Sequence, residues 1–147
     1  MRTVILSIAV LLAATVLMAA GLTPLGIKAG LWQVTMTSRI GQLPAPHTST
    51  YQSCIRKEDL NQYPFTDPKA NCTWTVVSST GSNMEANGMC RPEGMGDVTF
   101  SMRLEALDAE NVKGTGQLNA NGPAGPMNGQ YSGTAKWLSA TCPAGIK

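Results

Sequence analysis

Residues 72–90 read CTWTVVSSTGSNMEANGMC, two runs of alternating residues joined at Thr80-Gly81-Ser82 with a cysteine at each open end. A pairing that sets Cys72 opposite Cys90 also sets Trp74 opposite Gly88, Val76 opposite Ala86 and Ser78 opposite Met84. That face is largely apolar, while Thr73, Thr75, Glu85 and Asn87 fall on the other, as a half-buried antiparallel pair requires. A slip of one residue would put Cys72 opposite Arg91 and turn Cys90 to the wrong face. Directly opposed residues stand ~4.5–5.5 Å apart between Cα atoms, a span that a disulfide bridges. The hairpin therefore predicts a Cys72–Cys90 bond, which leaves Cys54 to Cys142.

The same alternation extends outward. Gly30 to Ile40 places Trp32, Val34, Met36 and Ile40 on one face, and prolines at 44 and 46 break it. A second strand runs from Thr48 to Cys54, with no clear inward face. Ile55 to Leu60 drops the two-residue period and reads as a short helical turn, followed by a loop from Asn61 to Asn71. Asp97 to Leu107 sets Val98, Phe100, Met102 and Leu104 on one side, and Val112 to Leu118 returns beside it with Phe100 opposite Gly116. Asn119 to Gly129 reads as loop, and Gln130 to Ala140 as a last strand with Tyr131 and Trp137. The expected fold is all-β: an antiparallel meander of seven to eight strands, curled into a lipocalin-like barrel or half-barrel, with one short helical turn. A two-sheet sandwich is the alternative.

Residues 1–21 have a separate role. Arg2, an apolar run and the small residues Ala19, Ala20 and Gly21 describe a secretory signal peptide, with an uncleaved anchor as the alternative. Residues 22–147 then form a single domain outside the cytoplasm. Four cysteines suit a disulfide framework there. No C-x-x-C or Cys/His spacing supports zinc, and no cofactor is implied.

The opening strand Gly30-Leu31-Trp32-Gln33-Val34-Thr35, the Cys54-Ile55-Arg56-Lys57-Glu58-Asp59-Leu60 turn, the two-cysteine hairpin, the Tyr131-Ser132-Gly133-Thr134 strand and Cys142 together resemble a family. It comprises small secreted proteins of Gram-negative bacteria catalogued as a domain of unknown function. The resemblance runs from Gly30 to Cys142 and implies a periplasmic location and a β fold. It brings no catalytic residue.

Charge excludes some partners. With 11 basic and 9 acidic residues spread along the chain, nothing resembles the basic stripe that nucleic acid or an anionic membrane selects. The lone His47 sits in a Pro-rich linker without a nucleophile nearby. Three functions stay open. The leading one is a non-enzymatic periplasmic binding or accessory protein, whose partner is a small apolar ligand or another periplasmic protein. A copper-handling protein using Met89, Met95 and Met127, and an enzyme built from dispersed carboxylates, are the alternatives. Trp32, Trp74, Phe100 and Trp137 fall on apolar faces. If the meander curls, they converge as a packed core or as the lining of an apolar pocket.

Overall fold

The computed structural model describes residues 22–41, 45–66, 71–93, 96–122 and 125–146; the N-terminal run read above as a signal peptide lies outside them. Seven antiparallel strands make one sheet: β1 (Gly30–Ile40), β2 (His47–Ile55), β3 (Cys72–Ser79), β4 (Asn83–Cys90), β5 (Val98–Ala106), β6 (Asn111–Gly122) and β7 (Gly125–Ser139). Among the described residues the helical content is one 3-10 turn, Lys57–Asn61. The strand order is β2-β1-β7-β6-β5-β4-β3. The meander is thus a half-barrel whose opening lies between β2 and β3, because β7 pairs with β1 along Trp32↔Trp137 to Ile40↔Gly129.

An open sheet leaves two unpaired edges and an apolar face to cover. The connection from β2 to β3 does this work. After the 3-10 turn it carries Tyr63 and Phe65, both buried, onto the inner face. Tyr63 stacks on Trp74 of β3 with ring centroids 4.0 Å apart, and Phe65 meets Trp32 of β1 edge-on at 5.6 Å. The Tyr51 hydroxyl of β2 donates to the Phe65 carbonyl at 3.1 Å. Inner-face residues of both halves, Trp32, Val34 and Ile55 with Met84, Ala86 and Leu104, consequently form one core.

Three local expectations are corrected. The β3–β4 hairpin pairs Cys72 with Cys90 and Trp74 with Gly88, but a bulge at Val77 shifts Ser78 opposite Glu85 and Ser79 opposite Met84. The extra residue turns Val77 outward. Phe100 stands opposite Leu118, and Gly116 opposite Met102. The cause is the turn, where Leu107 N–H bonds the Asn111 carbonyl and the Asp108 carboxylate accepts the Glu110 N–H at 2.7 Å. The Gly- and Asn-rich stretch read as loop is instead a paired ribbon, Asn119↔Asn128 to Gly122↔Gly125. Ala120 and Met127 pack there with Val98 and Leu118 in a second apolar cluster. Pro126 is tolerated because β1 reaches only Gly129, so no second neighbour needs its missing N–H.

Two disulfides, Cys54–Cys142 and Cys72–Cys90, close intervals of 88 and 18 residues. In the chain-entropy account the longer loop contributes ~4.5 kcal/mol and the shorter ~3 kcal/mol. Replacing both Cys54 and Cys142 by serine is therefore expected to lower the denaturation midpoint more than replacing both Cys72 and Cys90. Equal losses would show that loop closure is not what these bonds contribute.

Gly88 offers a sharper test of the packing. A Cβ built there would lie 2.6 Å from two ring carbons of Trp74. The indole cannot step back without breaking the Tyr63 stack. Gly88→Ala is expected to cost about 1–3 kcal/mol, read from urea denaturation, together with a changed tryptophan emission. A neutral substitution would mean that the Tyr63–Trp74 stack is not rigid.

Candidate functional site: an aromatic cavity

The half-barrel has one stoppered end. There the segment before β1 buries Leu25 and Ile27, and its backbone bonds the hairpin turns through Gly26 N–H to the Gly81 carbonyl and Lys28 N–H to the Ala109 carbonyl. Trp32 is wholly buried and donates its indole N–H to the Lys28 carbonyl at 2.9 Å. Trp137 donates to the Ala29 carbonyl at 3.1 Å, and the Lys28 ammonium lies 4.7 Å above its ring. Lys28 also pairs with Glu110. Both tryptophans belong to this closure.

The other end is open, and a cavity of about 340 Å³ enters the inner face. Its walls carry Tyr51, Tyr63, Phe65, Trp74, Phe100 and Tyr131, with the thioethers of Met36 and Met102 between them and the Cys72–Cys90 bridge at the rim. Tyr63, Trp74, Phe100 and Tyr131 form a continuous run of rings, with centroids 5.9 Å apart for Trp74–Phe100 and 5.8 Å for Phe100–Tyr131. Strand alternation puts Met36, Trp74, Phe100, Met102 and Tyr131 here. Gly116 leaves the space into which the Met102 sulfur fits. Ser49 and Thr66 supply further hydroxyls, and among the described residues no lining side chain is charged. The buried indole N–H of Trp74 has no acceptor among the described residues.

From residue 27 to residue 142 the chain matches the sequence profile of the family described as Protein of unknown function (DUF3617). The chain belongs to this family. No curated protein matches it. Among solved structures it is similar to a redesigned β barrel, with 10% identity over 76% of this chain and 91% of the other at a TM-score of 0.25. The architecture of this family member rests on its own strand order.

Of the residues expected to converge, Trp74 and Phe100 line the cavity, Trp32 lies in the core behind it, and Trp137 belongs to the stoppered end. The reading of the sequence did not include Tyr51, Tyr63, Phe65 or Tyr131 in the site. Two aromatics spaced by one residue at Tyr63-Pro64-Phe65, in a chain with only 5% aromatic residues, were the available signal. Met89 lies exposed on the outer face, whereas Met127 packs inward beside Ala120, and Met95 lies outside the described residues. His47 opens β2 at the surface. Among the described residues no three His, Cys, Asp or Glu side chains gather as metal ligands would.

Burial, with the Tyr51 phenol adding a smaller effect, pushes the Tyr63 hydroxyl well above the usual tyrosine range. Tyr131 is raised too, by burial. Because the folded value of Tyr63 is raised, its stabilisation is complete below about pH 10, where the unfolded phenol begins to ionise. It is lost as pH rises from there toward the folded value. Guanidinium midpoints should accordingly fall more steeply above about pH 10 in the wild type than in Tyr63→Phe. Parallel curves would exclude Tyr63 as a source of alkaline sensitivity.

Proposed function

We propose that this family member is a non-enzymatic binding protein of the Gram-negative periplasm, holding a small ligand with an apolar surface in the open-end cavity. One observation carries the reading. Six of the eight aromatic residues in the chain, comprising every tyrosine and phenylalanine, line this single cavity. The core behind it also holds Leu25, Ile27, Val34, Ile55, Leu104 and Val112, none of which lines the cavity. Tyr51, Trp74, Phe100 and Tyr131 are only half-buried at the mouth, and the ring surface left in water forgoes stability that deeper burial would supply. The unpartnered indole N–H of Trp74 is a further cost of about 1–3 kcal/mol. Concave, mostly apolar surfaces of about 300–1,000 Å³ with a few polar groups are the common form of ligand sites.

The location rests on other features. Two disulfides suit an oxidising compartment, residues 1–21 have the composition of a signal peptide, and no helix among the described residues is long and apolar enough to cross a membrane. That no described lining residue carries a charge favours binding over acid–base chemistry.

The neutral probe N-phenylnaphthylamine is expected to bind the folded, oxidised protein and to quench tryptophan emission. Trp74→Ala or Phe100→Ala should weaken it by about 10- to 100-fold, the worth of one lost aromatic contact. Probe fluorescence that rises only where circular dichroism reports unfolding would remove the cavity as a binding site.

A further inference from the structure

The cavity wall differs chemically from the core it adjoins. The core shares Tyr63, Phe65 and Met102 with the cavity, yet none of its leucine, isoleucine and valine residues lines the wall, where apolar contact comes from rings, thioethers and a disulfide. A hydrocarbon chain would be met as well by aliphatic side chains, so this lining selects for something that polarisable groups and π faces hold better.

Ring orientation narrows the choice. The face of a flat aromatic ligand needs a slot between parallel walls. Tyr63 and Trp74 are the near-parallel pair, inclined by 18°, and they stack directly on each other with no slot between them. Beyond them the planes turn by 41° from Trp74 to Phe100 and by 48° from Phe100 to Tyr131. Faces tilted in this way form a cup, which suits a rounded group.

Charge narrows it again. Among the described residues the wall offers an anion no cation, and it offers a primary ammonium no carboxylate to replace its lost water. A quaternary ammonium donates no hydrogen bond and spreads its charge over its methyl groups, so it loses the least on entering. Cations are attracted to ring faces within about 6 Å of the centroid, and centroids spaced 5.9 and 5.8 Å apart let one cation approach more than one face. Lys28 over Trp137 shows the same attraction elsewhere in this chain.

We propose that the cavity binds a trimethylammonium group in the cup formed by Tyr51, Trp74, Phe100 and Tyr131. This rests on the reading that the cavity is a ligand site. The hydroxyls of Ser49 and Thr66 at the wall are then placed for the polar remainder of the molecule.

The matched pair of choline and dimethylbutanol, in which a tert-butyl group replaces trimethylammonium, isolates the charge. Both would be titrated calorimetrically and as competitors of N-phenylnaphthylamine. Choline is expected to bind about tenfold more tightly than its neutral isostere. Phe100→Leu and Tyr131→Leu, which keep an apolar wall but remove a ring face, should bring the two ligands to similar affinities. Equal binding of the pair by the wild type overturns the proposal, as does failure of choline to displace a probe that is bound. If the probe itself does not bind the folded protein, the cavity reading falls and this inference with it, a result distinguishable from the other two. Vesicles of phosphatidylcholine settle the source. Co-sedimentation that choline reverses assigns the group to a lipid headgroup, and choline binding without sedimentation assigns it to a free solute; both support the proposal.

Discussion

Stacking of Tyr63 on Trp74 joins two parts of the sheet that share no hydrogen bond. β2 and β3 are the edges of the half-barrel, and neither pairs with the other. In a closed barrel an eighth strand would complete the ladder and remove both edges. Here a connecting segment substitutes, anchored to β2 through Tyr51 and the Phe65 carbonyl, to β1 through Phe65 on Trp32, and to β3 through Tyr63. The seam is made of ring contacts instead of backbone bonds. It can therefore leave a gap at one end, which a hydrogen-bonded ladder would not.

Curvature is the second requirement, and side-chain size across strand pairs supplies it. Trp74 lies over Gly88 and the Met102 sulfur over Gly116, in each case within 3 Å of where a Cβ would stand. A large residue opposite a missing side chain lets the inner face contract while the outer face keeps its complete rows of Thr, Ser, Gln and charged residues. Thr35 with Thr50 and Thr37 with Thr48 exchange hydroxyl contacts across that outer surface. Curl and cavity arise from the same substitution pattern, because the glycines that let the sheet bend also clear space beside the rings.

Much of this was legible in the sequence. The Cys72–Cys90 hairpin could be read because alternation, two cysteines and one turn agree on a single register. The open all-β meander followed from strand count and turn spacing. Other features depend on tertiary contacts that no local pattern encodes. The bulge at Val77 has no sequence marker. The ribbon from Asn119 to Asn128 looks like loop because Gly, Asn and Pro dominate it, and it pairs since Ala120 and Met127 find Val98 and Leu118. The position of the opening could not be foreseen either, because sequential pairing favours β2 beside β3. What displaces β3 is the aromatic pair in the intervening segment, and an aperiodic Tyr-Pro-Phe gives no indication of which face it will cover. Tyr63 and Phe65 escape the sequence for that reason, and Tyr51 because β2 shows no clear inward face, whereas Trp74 and Phe100 follow from clean alternation.

The division of the apolar interior has a thermodynamic consequence. Aliphatic residues and the stopper at Leu25 and Ile27 hold one end closed, so the fold does not depend on occupancy of the other. Tyr63 and Trp74 nonetheless serve two purposes, since they seal the edges and line the cavity. A ligand touching them also bears on the seam between β2 and β3, and a ligand that binds only the folded state adds to stability in proportion to the logarithm of its concentration. Binding in this molecule is for that reason coupled to the weakest junction of the sheet. The junction lacks the backbone hydrogen bonds that hold every other neighbouring pair of strands, and that lack is what gives a ligand a place to contribute.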